Sequence, residues 1–263
     1  MTRRTAIATA VAATAAPNPA SASSNDTGLA SGLVLRPAEA RGKADHGWLR
    51  SAHSFSFASY FDPEHMGFES LRVINDDWVA GSGGFPMHPH RDAEIFSYVL
   101  EGGLQHRDSL GNGSTVQAGG VQYMSAGSGV THSEFNPSQT NPMRFLQVWL
   151  IPNETGATPR YDTLDIAPED KDGKLKLFLS PDGRDGSMTI RSDADIYAAT
   201  LTGEQALDHE MGRGTRGWVQ LAEGSVTVNG EPMRRGDGLA IHESGRLEFR
   251  DGEGAEVLYF EFD

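Results

Sequence analysis

Beyond residue 28 the chain alternates short apolar segments with glycine-rich turns, and it does so twice. In the first series, segments 71–75, 94–100, 104–108, 121–124, 130–135 and 145–151 read as strands. The turns Glu101-Gly102-Gly103, Gly111-Asn112-Gly113 and Gly127-Ser128-Gly129 punctuate them. In the second series, 176–180, 196–201, 218–221, 225–228, 239–242 and 257–262 read the same way, and Asn229-Gly230 is the strongest hairpin signal in the chain. Val99-Leu100-Glu101-Gly102 before one hairpin is echoed by Gln220-Leu221-Ala222-Glu223-Gly224 before another, the mark of an internal duplication. Many short strands with evenly spaced turns predict an all-β chain of two jelly-roll β-barrels in tandem. The boundaries expected are 29–152 for an N-terminal metal-binding barrel, 153–175 for a polar linker and 176–263 for a C-terminal barrel without metal. Only residues 204–211 read as a short helix.

Composition closes off several classes of function. A net charge of -14 argues against a basic face for nucleic acid. The absence of cysteine removes disulfides, thiolate ligands and a cysteine nucleophile. No apolar run is long enough to span a bilayer. Residues 1–28 stand outside the predicted fold. Arg3-Arg4, an Ala-rich stretch and Ala20-Ser21-Ala22 have the outline of a twin-arginine export signal over residues 1–22, which would make the protein periplasmic. The other reading is an Ala/Ser/Pro extension without an address, on a cytoplasmic protein.

The chemistry concentrates in His88-Pro89-His90 and His132-Ser133-Glu134. Spacing i, i+2 on a strand points both side chains to one face. Two such strands facing each other bring together three imidazoles and a carboxylate. That set suits one divalent transition metal, Fe(II), Mn(II), Ni(II), Cu(II) or Zn(II) alike, and leaves positions open for substrate or O2. A structural zinc site would be closed and cysteine-rich. The plainer reading is two chance pairs among nine histidines. Pro89 lacks a donor and fits a strand start or barrel rim. If the strand continues, Glu94 shares the face of His90 as a fifth ligand, an outer hydrogen-bond acceptor or an ordinary barrel residue. Phe96 and Tyr98 share that face and are expected to line the pocket with Met124. Phe85, Met87, Phe135 and Trp149 are further wall or core candidates. His106 reads as a core or surface histidine rather than a ligand, and His46 and His53 as polar anchors. Asp208-His209-Glu210 lacks the His-x-His pattern.

The stretch GGFPMHPHRDAEIFSYVLEGGLQHRDSLGNG, followed by MSAGSGVTHSEFN, resembles the two cupin motifs and, within them, the pirin family. ADHGWLRSAHSFSFASYFDPEHMGFESLRVINDD upstream, and WVQLAEGSVTVNG with GDGLAI downstream, extend the resemblance from about Gly28 to the C-terminus. It implies a bicupin with metal in the N-terminal barrel and His88, His90, His132 and Glu134 as ligands. In ordinary cupins the carboxylate after His-x-His is a ligand, here Glu94; in pirins it is the one in His-x-Glu. Gly127 stands where cupins often have proline. The resemblance further implies a quercetin 2,3-dioxygenase that opens the flavonol heterocycle with O2 and releases CO. Glu134 would act as catalytic base, and Phe96, Tyr98 and Met124 would stack on a flat aromatic substrate. The alternative it carries is a metal-containing, redox-sensing regulatory protein working through a protein partner rather than DNA.

Overall fold

The computed structural model describes residues 32–263. The proposed export signal over residues 1–22 therefore lies outside the described residues. The chain is all-β, with two barrels built from antiparallel sheets.

The N-terminal barrel packs two sheets face to face. One runs Gly84–His90, Val130–Phe135, Gly103–Asp108, Gly113–Gln117. The other has seven strands in the order Arg160–Asp165, Gly120–Ser125, Glu94–Glu101, Met143–Leu150, Leu71–Val79, Leu49–His53, Gly42–Asp45. Side chains from both inner faces meet at one end of the barrel: Leu104 and Val116 from the small sheet, Val79, Val99, Met143 and Phe145 from the large one. Gly84–His90 is an edge strand. An edge tolerates Pro86 and Pro89, whose missing N–H groups would break a central ladder.

The second barrel is one sheet of nine strands around its own core of Val219, Leu221, Leu247, Phe249, Val257 and neighbours. Its long strands are Arg216–Val228 and Arg246–Phe262. Asn229-Gly230 forms the hairpin that returns to Glu231–Arg234. Asn229 and Gly230 both take positive φ, as such a turn requires.

Three expectations from the sequence are corrected. Leu33–Arg36 was assigned by position to the first barrel; it pairs with Gly238–Ile241, Leu33 opposite Ile241, and completes the second barrel's sheet. The boundary at 29 therefore does not separate the two units. The linker over 153–175 contains Arg160–Asp165, an edge strand paired with Gly120–Ser125. Its polar text reflects its exposed edge position. Residues 204–211 hold the strand Leu207–Glu210 instead of a helix, with Leu207 inward and Asp208 outward.

The outer face of the seven-stranded sheet is buried against the second barrel. Phe96, Tyr98, Tyr123, Leu146 and Val148 pack with Phe178, Ile196, Leu258, Phe260 and Phe262. Strand Glu94–Glu101 is thus buried on both faces, which is why its sequence is nearly continuous apolar text.

Candidate metal centre

The four-stranded sheet carries the candidate ligands and the seven-stranded sheet supplies the floor. Val130–Phe135 runs antiparallel to Gly84–His90 and sets His132 opposite His88 and Val130 opposite His90. A bulge between His132 and Glu134 shifts the register so that Glu134 faces Phe85. Bulges re-aim side chains in this way beside functional sites.

His88, His90 and His132 each offer a ring nitrogen within 4.8 Å of the others. The His88 and His132 rings lie 4.5 Å apart, with their Nε2 atoms 3.0 Å apart. His88 Nδ1 donates to the Pro86 carbonyl at 2.8 Å. A carbonyl only accepts, so His88 carries a proton on Nδ1 and turns Nε2 toward His132. Burial, reinforced by the neighbouring imidazoles, pushes His90 and His132 down to about 3. Both are neutral near pH 7, the form in which imidazole binds metals.

Glu134 is fully buried. Its Oε1 accepts from Ser97 Oγ at 3.2 Å and from Gln122 Nε2, and its Oε2 accepts from Gln147 Nε2 at 2.8 Å. Burial pushes its carboxyl up, while His106, His88 and these donors pull it back. Ser97, Gln122 and Gln147 are cross-strand neighbours on the floor. Glu134 joins His132 and His106 in a second group of ligand atoms within 4.8 Å, so His132 is the joint between carboxylate and imidazoles. The donors that meet around His132, imidazoles and one carboxylate with no sulfur, are of the kind that suits a divalent transition ion.

Around this centre the Trp149 ring stands edge-on to His90 at 4.9 Å. Met124 packs inside the same barrel with Ile95, Val130 and Trp149. A pocket of about 590 Å³ opens beside His90, lined by Arg72, Arg91, Val130, Thr131, Trp149 and Ile151 among others.

Glu94, Phe96 and Tyr98 are not at this centre. Phe96 lies 5.7 Å from the Phe178 ring of the second barrel. Tyr98 donates to Glu256 Oε1 at 2.6 Å and accepts from Lys171 Nζ at 2.7 Å. Glu94 accepts from Ser125 Oγ at 2.6 Å, from Tyr123 and from the backbone N–H of Arg191. The expectation carried the alternation of one strand from residue 90 to residue 98. The chain instead breaks at Asp92, whose φ is 47°, and changes sheets. Face parity is lost there, and the odd residues 95, 97 and 99 point into the first barrel.

The sequence reading passes over Ser97, Gln122 and Gln147, whereas His106, expected as a core or surface histidine, is a core one beside His132. The three passed over carry a legible signal: each is a lone polar residue inside an apolar strand, as in EIFSYVL and FLQVWLI. His53 is a buried anchor, its Nδ1 2.7 Å from Asn75 Oδ1.

Residues 34–150 match the Pirin family model, and residues 177–262 match the quercetinase C-terminal cupin domain. The quercetin 2,3-dioxygenase of Escherichia coli K12 is 45% identical over 229 residues, 87% of this chain and 98% of that one. The chain belongs to the pirin family. A pirin-like protein of Caulobacter vibrioides is 39% identical over 224 residues, 85% of this chain and 96% of that one. The crystal structure of the bacterial pirin YhhW from Escherichia coli in complex with nickel(II) superposes with a TM-score of 0.83 at 45% identity, covering 88% of this chain and 98% of that one. Both pirin barrels are thus accounted for, and the His/Glu cluster lies in the N-terminal one.

Proposed function

We propose that this pirin is a metal-dependent dioxygenase that opens the heterocycle of quercetin-like flavonols with O2 and releases CO. The observation that carries it is the convergence of three imidazoles beside a buried carboxylate, next to a pocket open to solvent. His88, His90, His132 and Glu134 are the ligands in this reading, with Fe(II) first among the metals and Mn, Ni, Cu and Zn compatible. When bound, such a metal supplies Lewis acidity toward an enol hydroxyl and a centre for O2 chemistry.

The protein's own share is positioning and proton handling. Glu134 is the catalytic base and takes the proton of the flavonol hydroxyl. Its raised affinity for protons suits that task. Ser97, Gln122 and Gln147 hold the carboxylate in place; when a proton sits on Oε1, Gln147 still donates to the bare Oε2 and the Ser97 hydroxyl can turn from donor to acceptor. Trp149 walls the pocket and offers apolar area to a flat aromatic ring, and Met124 is packed behind it.

The test is O2 uptake and CO release with quercetin, on protein whose metal is quantified and exchanged through Fe, Mn, Ni and Cu. Turnover with at least one metal, lost in Glu134→Gln, is expected. A fully loaded protein that leaves quercetin intact overturns the reading and favours a binding role toward a protein partner.

A further inference from the structure

We propose that His106, backed by Asp108, is a positioning residue that holds the proton of His132 on Nδ1 and so keeps His132 Nε2 bare for the metal. The inference rests on His132 being a ligand, not on the flavonol reaction.

The argument follows the protons. Asp108 Oδ1 accepts from the backbone N–H groups of Leu110 and Asn112, both at 2.9 Å. Asp108 Oδ2 accepts from Asn112 Nδ2 at 2.8 Å and lies 3.3 Å from His106 Nε2. Burial pushes the Asp108 carboxyl up, but the donors around it win and hold it below its usual range. A carboxylate only accepts, so His106 carries a proton on Nε2. Neutral imidazole has one N–H, which makes His106 Nδ1 an acceptor. That atom lies 3.4 Å from His132 Nδ1. His132 therefore donates from Nδ1, and its Nε2 faces His88 Nε2 without a proton. His88 gives its Nδ1 proton to the Pro86 carbonyl, so Nε2 is the nitrogen it turns toward the same point. The two Nε2 atoms lie 3.0 Å apart, close enough for one cation to engage both.

The relay is rigid. His106 has a buried side chain and stacks on Tyr161, ring centroids 4.1 Å apart and planes 14° apart. The Tyr161 hydroxyl donates to Gln122 Oε1 at 3.4 Å, and Gln122 Nε2 donates to Glu134. One stacked pair thus serves both His132 and Glu134. Metal-bound histidines commonly pass their second N–H to a carboxylate or carbonyl. Here a second histidine stands between ligand and carboxylate.

The experiment is Ni(II) affinity of the metal-free full chain, by competition with a chromophoric chelator, for wild type, His106→Leu, His106→Gln and Asp108→Asn. His106→Leu leaves the His132 N–H without an acceptor and is expected to weaken binding about 10–100-fold. Asp108→Asn turns an amide N–H toward His106, reverses both tautomers and is expected to weaken binding comparably. His106→Gln can accept from His132 and donate to Asp108, and it restores most of the affinity. In the Zn(II)-loaded wild type, long-range ¹H–¹⁵N correlations should place the His106 proton on Nε2; this readout stands even if His106→Leu does not fold. Wild-type affinity in His106→Leu, no recovery in His106→Gln, or a His106 proton on Nδ1 overturns the relay. A wild type that binds no Ni(II) overturns the ligand assignment of His132 and the relay with it.

Discussion

Gln147 Nε2 donates to Glu134 Oε2 at 2.8 Å, joining the floor of the seven-stranded sheet to the ligand strand of the four-stranded one. The amide faces a carboxylate that is buried on all sides. Leaving a buried charged acceptor short of a donor costs on the order of 1–3 kcal/mol. Gln147→Leu should therefore raise the proton affinity of Glu134 further. Metal binding needs the deprotonated carboxylate. We expect Ni(II) affinity to fall about tenfold at pH 6, the equivalent of ~1.4 kcal/mol, and to approach wild type at pH 8.5. A loss of equal size at both pH values would point to damaged packing instead.

The metal-free protein should lose stability in acid with a sign set by opposing groups. Burial holds His90 and His132 at about 3 in the folded protein, against the ordinary imidazole value of 6.5. Below pH 6.5 the unfolded chain binds protons that the folded chain refuses, so their contribution is full above 6.5 and falls as pH drops toward 3. Asp77 runs the other way. Burial, with Asp76 and Glu134 adding to it against the Ser51 hydrogen bond, pushes it from 3.8 up to about 7. Its contribution is full below 3.8 and is lost as pH rises to 7. Between pH 4 and 6.5, Asp77→Asn should steepen the acid limb by up to ~1.4 kcal/mol per pH unit. Urea unfolding at pH 4.5 and 6 measures the slope; an unchanged slope refutes the burial argument for Asp77.

Phe96 separates the seam between barrels from the site. It has almost no exposure and packs on Phe178 and Phe260. Truncating such a ring costs ~3–5 kcal/mol. Phe96→Ala should lower the unfolding midpoint sharply. The Ni(II) affinity of the protein that remains folded should stay within twofold of wild type, about 0.4 kcal/mol. A selective loss of metal with normal stability would return Phe96 to the pocket.

What the sequence makes legible follows from local periodicity. The i, i+2 spacing on a strand fixes a common face, so His88, His90 and His132 come together, while Glu134, past the bulge after His132, meets His132 beside His106. Glycine turns such as Asn229-Gly230 mark hairpins because their φ values demand them. The misplacement of Glu94, Phe96 and Tyr98 has the same origin in reverse: alternation holds only inside one strand, and a single positive φ at Asp92 resets it. Leu33–Arg36 joining Gly238–Ile241 is a pairing over some two hundred residues, to which no local pattern is sensitive. His106 looked idle because its partners His132 and Asp108 become meaningful only when Val130–Phe135 pairs with Gly103–Asp108.

Trp149 offers the most direct probe of the pocket. Its ring meets His90 edge-on at 4.9 Å and Phe57 at 5.6 Å, and it lines the opening of about 590 Å³. The residue is only partly buried, so its loss removes wall area more than core. A flat substrate that lies along this wall gains contact before and during reaction alike, which is uniform binding and appears in KM. Removing an aromatic wall of this size forfeits ~1–3 kcal/mol of ligand contact. Trp149→Ala should therefore raise KM for quercetin about tenfold or more while kcat changes little and metal content stays at wild-type level. Trp149→Phe, which keeps an aromatic face, should recover most of the loss. If kcat falls and KM does not move, Trp149 acts on His90 and the metal, and the flat substrate approaches along another wall.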